Sequence, residues 1–335
     1  MRSKPLLILD ADGVFMDEMP YWNTALATLM YRFDLQCADT EEWVDLSRTC
    51  LNEYRVQAIT KGRGCNSNWD LAAVMIRAAE DGACLAGLGE GLRLGDCDLF
   101  ATSLAEGMER QWRSVDSGDP LGQFGIERDE DFFQEVVAEF QQVFKREVDV
   151  DWDYDRQVPV LPVAELRALF LRFKEYGFTL GVCTSRAESE IVEPMTQFGV
   201  LDCFQRDRIV TYDHAVRAES RTGNKAMGKP HPFPLLCAAI GFDAALLACE
   251  RGASQSVGDG GEVVYVGDAP ADFDTAHRAA ELGLSVSYVH IDSGLAPPAD
   301  REAIADSDIT KRVAPTLVDC ESWLRDYAGC VGSRS

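Results

Sequence analysis

The stretch LLILDADG, residues Leu6–Gly13, decides the fold of this 335-residue chain. Four aliphatic residues in succession show no polar alternation, which is typical of a strand buried on both faces of a parallel sheet. Two carboxylates, Asp10 and Asp12, end the run. Because side chains alternate along a strand, both point the same way wherever the extended backbone continues. Ligands bind at this end of the strands in open α/β sheets, so the pair marks a candidate site that a cation would stabilise.

The second half of the chain alternates short apolar segments with amphipathic ones. Strands are predicted at 178–183, 208–211, 262–266 and 285–290. Helices are predicted at 163–176, 187–198, 232–240 and 272–282. Such alternation predicts βα units around a parallel sheet, which is a Rossmann-like α/β fold. The tail at 293–313 is predicted to be loop, followed by a short strand at 314–318 and a helix at 321–327.

A long mainly helical segment separates the first strand from the others. Helices are predicted there at 18–35, 40–58, 68–81 and 130–147, with glycine-rich irregular chain at 82–96 and 117–125. No strand is predicted before residue 158. The sequence therefore predicts an α/β core domain of residues 1–15 plus 160–335, with a helical domain of residues 16–159 inserted after the first strand.

Composition excludes several classes of protein. The formal charge of −24 and a pI near 4.5 disfavour nucleic acid and anionic membrane as partners, since both require basic surface. No apolar run reaches the roughly 20 residues of a membrane helix, and the start is too short for a signal peptide. Eleven cysteines without a Cys-x-x-Cys pair indicate reduced thiols and a cytoplasmic protein.

Polar residues follow the apolar runs at four places, which a parallel sheet would bring to one edge. They are Asp10 with Asp12, Thr184, the loop Gly228-Lys229-Pro230, and Asp268 with Asp272. Two or three carboxylates hold a hard cation such as Mg²⁺, while a hydroxyl and an ammonium suit a phosphate. One carboxylate can accept a phosphoryl group, and a second can protonate the leaving alkoxide and then activate water. Each residue can also be an ordinary strand-end cap or turn residue.

These motifs resemble those of the haloacid dehalogenase-like (HAD) superfamily, and all four appear in order. They are LLILDADGV at 6–14, TLGVCT at 179–184, GKPHPFP at 228–234 and VVYVGDAPAD at 263–272. The resemblance implies an α/β core, a Mg²⁺ cofactor and an aspartyl-phosphate intermediate. Position 269 is alanine where members of the family often carry serine or threonine.

The resemblance implies a role for each matching acid. Asp10 would be the nucleophile and a metal ligand, and Asp12 the general acid/base, with its main-chain carbonyl on the metal. Asp268 would bind Mg²⁺, and Asp272 would bind it through water or orient Lys229. Because dehalogenases of the family lack an acid at the position of Asp12, phosphoryl transfer is favoured over dehalogenation.

Phosphate recognition is expected from the second and third motifs. Thr184, with Ser185 beside it and the amides that follow, would bind the phosphoryl oxygens, and Lys229 would steady both nucleophile and phosphate. Arg186 has two interpretations, a further phosphate contact or a solvated helix start. The Gly-Asp-Gly-Gly sequence within 249–261 imitates the fourth motif, but no strand precedes it.

The inserted domain is expected to act as a cap. The first and second motifs are 174 residues apart, from 10 to 184, whereas the second and third are 45 apart, from 184 to 229. A cap in this position would exclude water over a small phosphorylated metabolite. The loop at 61–70 contains Lys61 and Arg63, and we expect Arg63 to contact the substrate beyond its phosphate. A helix-capping turn is the other interpretation of this loop.

The predicted activity is hydrolysis of a phosphomonoester by a monomer or homodimer. Three alternatives stay open from the sequence. A phosphomutase would share the chemistry, a phosphonate hydrolase would require a cap lysine such as Lys61, and a non-catalytic binding protein would have lost turnover.

Overall fold

The structure is a computed structural model that describes residues 4–37, 40–53, 56, 60, 67–81, 97–111, 120–148, 157–224, 226–252, 261–292 and 298–333. The chain forms two compact units, Met1–Asp17 with Val158–Ser335, and Glu18–Gln157. The junctions therefore lie at 17/18 and 157/158, against 15/16 and 159/160 in the sequence prediction.

The first unit is built on a six-stranded sheet in which every pair of neighbouring strands is parallel. Its strands are Leu6–Leu9 (β1), Thr179–Cys183 (β2), Ile209–Val210 (β3), Val263–Gly267 (β4), Val286–Ile291 (β5) and Thr310–Ala314 (β6). The strand order is β3-β2-β1-β4-β5-β6. Strand β1 lies in the middle, with Leu6 paired to Thr179 on one side and to Val263 on the other. The chain therefore winds outward from β1 in both directions, as the predicted α/β fold requires.

Helices cover both faces of this sheet, which is why β1 carries four aliphatic residues without alternation. Leu7 and Leu9 pack into one buried cluster, and Leu6 and Ile8 into another. The first cluster includes residues of Val163–Glu175 (α7), Glu188–Gln197 (α8) and Glu321–Ser333 (α14). The second includes residues of Tyr212–Thr222 (α9), Phe233–Ile240 (α10), Phe242–Arg251 (α11), Pro270–Glu281 (α12) and Pro298–Asp306 (α13).

Parts of the first unit differ from the sequence prediction. Residues 293–313 were predicted to be loop, yet they contain α13 and most of β6, so the last strand begins four residues before the predicted 314. The polar, charge-rich sequence of β6 concealed it, because an edge strand with exposed side chains lacks apolar alternation. Helices α9 and α11 were also not predicted. The start of α9 is capped by Thr211 and His214, a signal that the sequence did contain.

Helices are the main elements in the described part of the second unit, joined by turns. Its helices are Met19–Arg32 (α1), Thr40–Ser47 (α2), Asn68–Asp81 (α3), Cys97–Gln111 (α4), Pro120–Gln123 (α5) and Asp131–Phe144 (α6). They share one buried cluster that includes Trp22, Trp43 and Phe140. Within the predicted helix 40–58, the described residues form a short α-helix followed by a π-helical segment, Arg48–Glu53, and Val56 is also helical. Helix α4 was not predicted, and the segment predicted as irregular at 82–96 lies outside the described residues.

None of the described helices combines the length and the apolar character that crossing a bilayer needs.

Candidate active site

The carboxyl ends of the central strands bring together the acidic residues of the first and fourth motifs. Asp10 follows β1 and Asp268 follows β4, while Asp272 lies in the first turn of α12. One carboxylate oxygen from each of the three lies within 4.8 Å of the other two. All three residues are buried. The structure thus brings together three acidic groups that are separated by up to 262 positions in the chain, from 10 to 272.

Lys229 lies between two of these carboxylates. Its Nζ donates to Asp10 Oδ1 at 2.7 Å and to Asp272 Oδ1 at 2.6 Å. The side chain is only 4% exposed. Burial by itself would lower the pKa of Lys229, but attraction to Asp10 and Asp272 raises it above its ordinary value. The side chain is therefore an ammonium at neutral pH.

Asp272 is saturated with hydrogen bonds from the protein. Its Oδ1 accepts from Lys229 and from the hydroxyl of Tyr265, the latter at 2.6 Å. Its Oδ2 accepts from the amides of Asp268 and Ala269, at 3.2 Å and 3.1 Å. Burial opposes ionisation, yet Lys229 and the other donors hold the pKa of Asp272 below its ordinary value. Each oxygen thus already has two donors from the protein, and one of these donors is the ammonium of Lys229, which Asp272 holds in place.

Asp10 and Asp268 are the acids that best suit a cation. Burial raises the pKa of Asp10 well above its ordinary value, and repulsion from Asp272, Asp268 and Asp12 adds to this, while Lys229 opposes it. With all four carboxylates ionised, as metal binding requires of its ligands, they face two cations, Lys229 and Arg186, and leave an excess of two negative charges. A divalent cation would cancel that excess, and oxygen donors are the ligands that Mg²⁺ prefers. The donor set therefore fits the predicted metal.

Gly13 makes the approach of Asp268 possible. Its φ of +71° lies in the left-handed region, and a Cβ atom there would come within 2.4 Å of Asp268 Oδ2. Glycine is thus required at this position for two reasons: it adopts the left-handed backbone conformation, and it leaves space for the Asp268 side chain. This accounts for the glycine that closes the first motif.

The end of β2 supplies the predicted phosphate-binding hydroxyl. Thr184 is buried, and its Oγ1 accepts the amide of Arg186 at 3.2 Å, so the hydroxyl hydrogen stays available to donate to another group. Ser185 follows it and is half-buried. Thr184 thus has the geometry of a donor at the same sheet edge as Asp10.

Arg186 is fully buried, so the interpretation as a solvated helix start was wrong. Its Nε donates to Asp12 Oδ2 at 2.9 Å and to Oδ1 at 3.2 Å, and its Nη2 donates to Oδ1 as well. Two nitrogens of one guanidinium therefore hold Asp12, the predicted general acid/base.

Two of the predicted cap residues, Lys61 and Arg63, lie outside the described residues.

Sequence reasoning did not single out Tyr265. The signal was present, because a tyrosine interrupts the aliphatic strand VVYVG three residues before Asp268. Its hydroxyl is fully buried, and burial together with Asp272 raises its pKa well above the ordinary value. Tyr265 therefore acts as a hydrogen-bond donor to Asp272.

Comparisons with known proteins agree with this architecture. Residues 5–280 match the family model described as haloacid dehalogenase-like hydrolase. The chain resembles a structural-genomics target of the Northeast consortium, with 17% identity, coverage of 97% of this chain and 99% of that one, and a TM-score of 0.61. At that identity the similarity shows a shared fold.

Two further structures resemble the chain more distantly. One is a candidate phosphoglycolate phosphatase from Lactobacillus plantarum, with 14% identity, coverage of 96% and 99%, and a TM-score of 0.48. The other is a candidate haloacid dehalogenase-like hydrolase from Bacteroides fragilis, with 14% identity, coverage of 95% and 99%, and a TM-score of 0.49. The search of curated proteins found no significant match.

Proposed function

The chain belongs to the haloacid dehalogenase-like hydrolases, and on that premise we propose that it is a Mg²⁺-dependent phosphomonoester hydrolase acting through an aspartyl phosphate. One observation carries the proposal: Lys229 bridges Asp10 and Asp272 in a buried acidic cluster, beside a second acid at position 12. Phosphoryl transfer through an aspartyl phosphate uses this combination of a carboxylate nucleophile, a nearby acid and compensating positive charge.

In the first half-reaction, Asp10 attacks the phosphorus atom of the substrate. An O–P bond forms to the carboxylate while the bond to the leaving oxygen breaks, and Asp12 gives that oxygen a proton. In the second half-reaction, Asp12 takes a proton from water, the water oxygen attacks phosphorus, and the acyl-phosphate O–P bond breaks. The products are an alcohol and inorganic phosphate, and both aspartates return to their starting states.

The positive charge at the site has two sources. Asp10, Asp268 and the main-chain carbonyl of Asp12 would hold Mg²⁺, which when bound would offset the negative charge of the phosphoryl group. Lys229 contributes a permanent ammonium next to the nucleophile. Thr184 would donate its hydroxyl to a phosphoryl oxygen, with Ser185 beside it as a second donor.

Substrate selection is proposed to lie in residues 18–157, the unit that we propose acts as a cap. Arg63 would contact the part of a small phosphorylated metabolite beyond its phosphate. Arg63→Ala should then raise KM for the natural substrate at least tenfold. The exposed Arg110, also in this unit, offers Arg110→Ala as the control, which should leave KM unchanged. The same KM for the natural substrate in Arg63→Ala and in Arg110→Ala would contradict the proposed role of Arg63.

A cytoplasmic location is part of the proposal. The cysteines in the described part of the chain are free thiols, and most of them are buried. Reduced, buried thiols suit a reducing compartment.

The decisive experiment measures hydrolysis of p-nitrophenyl phosphate with Mg²⁺ and with EDTA. We expect turnover only with Mg²⁺, and a fall of about a thousandfold or more in Asp10→Asn, which cannot form the aspartyl phosphate. Asp243→Asn, at an exposed aspartate, is the matched control. Turnover that survives Asp10→Asn would overturn the proposed mechanism.

Other outcomes would identify the alternatives. A phosphomutase would convert a sugar phosphate to its isomer with little release of phosphate. A phosphonate hydrolase would cleave a C–P bond through a cap lysine. A binding protein would show no turnover with any substrate. A screen of phosphorylated metabolites, with Asp10→Asn as the blank, separates these from a phosphatase.

A further inference from the structure

The contact between Arg186 and Asp12 is an interaction at the site that the mechanism above does not use. The guanidinium is 0% exposed, whereas the Asp12 side chain keeps 20% of its surface open. Nε and Nη2 of the same guanidinium donate to both oxygens of the carboxylate. Arginine suits this geometry, because its planar guanidinium binds both oxygens of a carboxylate and so fixes the orientation of the carboxylate, which the point charge of a lysine does not.

Arg186 is itself held in place on three sides. Its amide donates to Thr184 Oγ1 at 3.2 Å, and its carbonyl accepts the amide of Tyr212 at 2.9 Å. The remaining nitrogen, Nη1, donates to the carbonyl of Glu190 at 3.4 Å. The Arg186 backbone is therefore fixed beside the end of β2, and its guanidinium contacts α8 through Nη1 while its Nε and Nη2 edge faces Asp12 after β1.

We infer that Arg186 is a positioning residue that fixes the orientation of the Asp12 carboxylate for proton transfer. This inference rests on the proposed function, because it assigns Asp12 the transfer of protons to the leaving oxygen and from water. One edge of the carboxylate is taken up by the guanidinium, so only the opposite, partly exposed edge can meet the substrate. A displacement of about 1 Å in a reacting group can cost about a hundredfold in rate.

A purely structural role for Arg186 makes a different prediction. If the ion pair only joined β1 to β2, its loss would affect every substrate alike. If Arg186 acts through Asp12, the loss of activity on replacing Arg186 depends on how much the leaving oxygen of the substrate requires a proton. Phenolate is a poor leaving group that benefits from protonation, whereas p-nitrophenolate departs readily without it.

The test compares kcat/KM for phenyl phosphate and p-nitrophenyl phosphate, since this constant covers the steps up to departure of the leaving group. In Arg186→Gln we expect the value for phenyl phosphate to fall at least about tenfold further than the value for p-nitrophenyl phosphate. Arg208→Gln is the matched control, because Arg208 is a partly buried arginine whose side-chain hydrogen bonds, among the described residues, go to two backbone carbonyls and to Gln205. In Arg208→Gln, kcat/KM for phenyl phosphate and kcat/KM for p-nitrophenyl phosphate should change by the same factor.

A double-mutant cycle tests whether the effect passes through Asp12. In an Asp12→Asn background, Arg186→Gln should cause little additional loss with p-nitrophenyl phosphate. If Arg186→Gln does not fold, judged by circular dichroism, Arg186→Lys takes its place. It keeps the charge but loses the fork, and it should show the same leaving-group preference to a smaller degree.

Two results would overturn this inference while leaving the proposed function intact. One is an equal fall in kcat/KM for both phosphate esters in an active Arg186→Gln enzyme. The other is an undiminished effect of Arg186→Gln in the Asp12→Asn background. Absence of Mg²⁺-dependent turnover in the unmodified protein would instead overturn the proposed function, and this inference with it.

Discussion

The ammonium of Lys229 lies 2.7 Å from an oxygen of Asp10, although 219 positions separate the two residues in the chain. The same ammonium lies 2.6 Å from Asp272, so two buried carboxylates share one cation. This arrangement keeps the proposed nucleophile next to positive charge before any substrate arrives. It also makes Lys229 important for stability as well as for activity.

Replacing Lys229 by methionine should therefore destabilise the fold. Removing one partner of a buried ion pair leaves uncompensated charge, and typical costs are about 3–5 kcal/mol. Chemical denaturation at pH 7 would measure the free energy of unfolding, and p-nitrophenyl phosphate hydrolysis should be lost in parallel. Lys174→Met at an exposed lysine should change neither quantity. A Lys229→Met protein as stable as the unmodified one would contradict the interpretation.

Removing the Tyr265 hydroxyl should lower both the stability of the protein and its activity without abolishing either. Tyr265→Phe takes away one of four donors to Asp272, and a hydrogen bond to a charged group contributes about 1.5–3 kcal/mol. We expect a loss of stability in that range and a reduced kcat, because Asp272 would orient Lys229 less firmly. Denaturation and steady-state kinetics would measure the two effects.

Tyr288 supplies the control for that prediction. It is also fully buried and lies 5.9 Å from Tyr265 between ring centroids, but its hydroxyl has no hydrogen-bond partner in the described part of the chain. Tyr288→Phe should therefore be neutral or stabilising. A similar loss in both variants would mean that the Tyr265 hydroxyl has no special role.

Substituting Gly13 should displace Asp268. Gly13→Ala adds a Cβ atom within 2.4 Å of Asp268 Oδ2 and forces alanine to φ +71°. Gly223→Ala, at φ +72° with no atom within 4 Å of the added Cβ, reproduces the backbone strain alone, a cost of about 1–2 kcal/mol. The Mg²⁺ concentration for half-maximal hydrolysis should rise only in Gly13→Ala. A rise in both variants, or in neither, would show that the contact with Asp268 is unimportant.

His231 should make stability depend on pH. Burial, with a smaller contribution from Arg278, lowers the pKa of His231 from 6.5 to about 4. Between these values the unfolded chain binds a proton that the folded chain does not, so the free energy of unfolding rises with pH through that window. The contribution is present above pH 6.5 and is lost as the pH falls towards 4.

His231→Asn should remove this part of the pH dependence. Asparagine Oδ1 can replace Nδ1 as acceptor of the Phe233 amide, now 3.1 Å away, but it does not titrate. Unfolding free energies at pH 4.5 and 7 should differ less in the variant, by on the order of 1 kcal/mol after allowance for the partial exposure of the ring. An identical difference in both proteins would assign the pH dependence to other groups.

Local patterns were sufficient to predict much of the α/β core. The aliphatic run of β1 and the strands that became β2, β4 and β5 have enough apolar residues to be recognised individually. The last strand was predicted at 314–318 but begins four residues earlier as β6, and helices α9 and α11 were not predicted. Strand β6 lies at a sheet edge with exposed polar side chains, so burial leaves no pattern in its sequence.

The sequence by itself determined that a parallel sheet has β1 among its strands and that polar residues stand at its carboxyl ends. These properties follow from apolar runs and from the common direction of the strands. Only the tertiary structure decided that Arg186 holds Asp12 and that Tyr265 is one of four donors to Asp272, whereas the family resemblance had already implied that Lys229 steadies Asp10 and is oriented by Asp272. The contact between Arg186 and Asp12 depends on how side chains from segments far apart in the chain pack in three dimensions, and residue spacing carries no information about that.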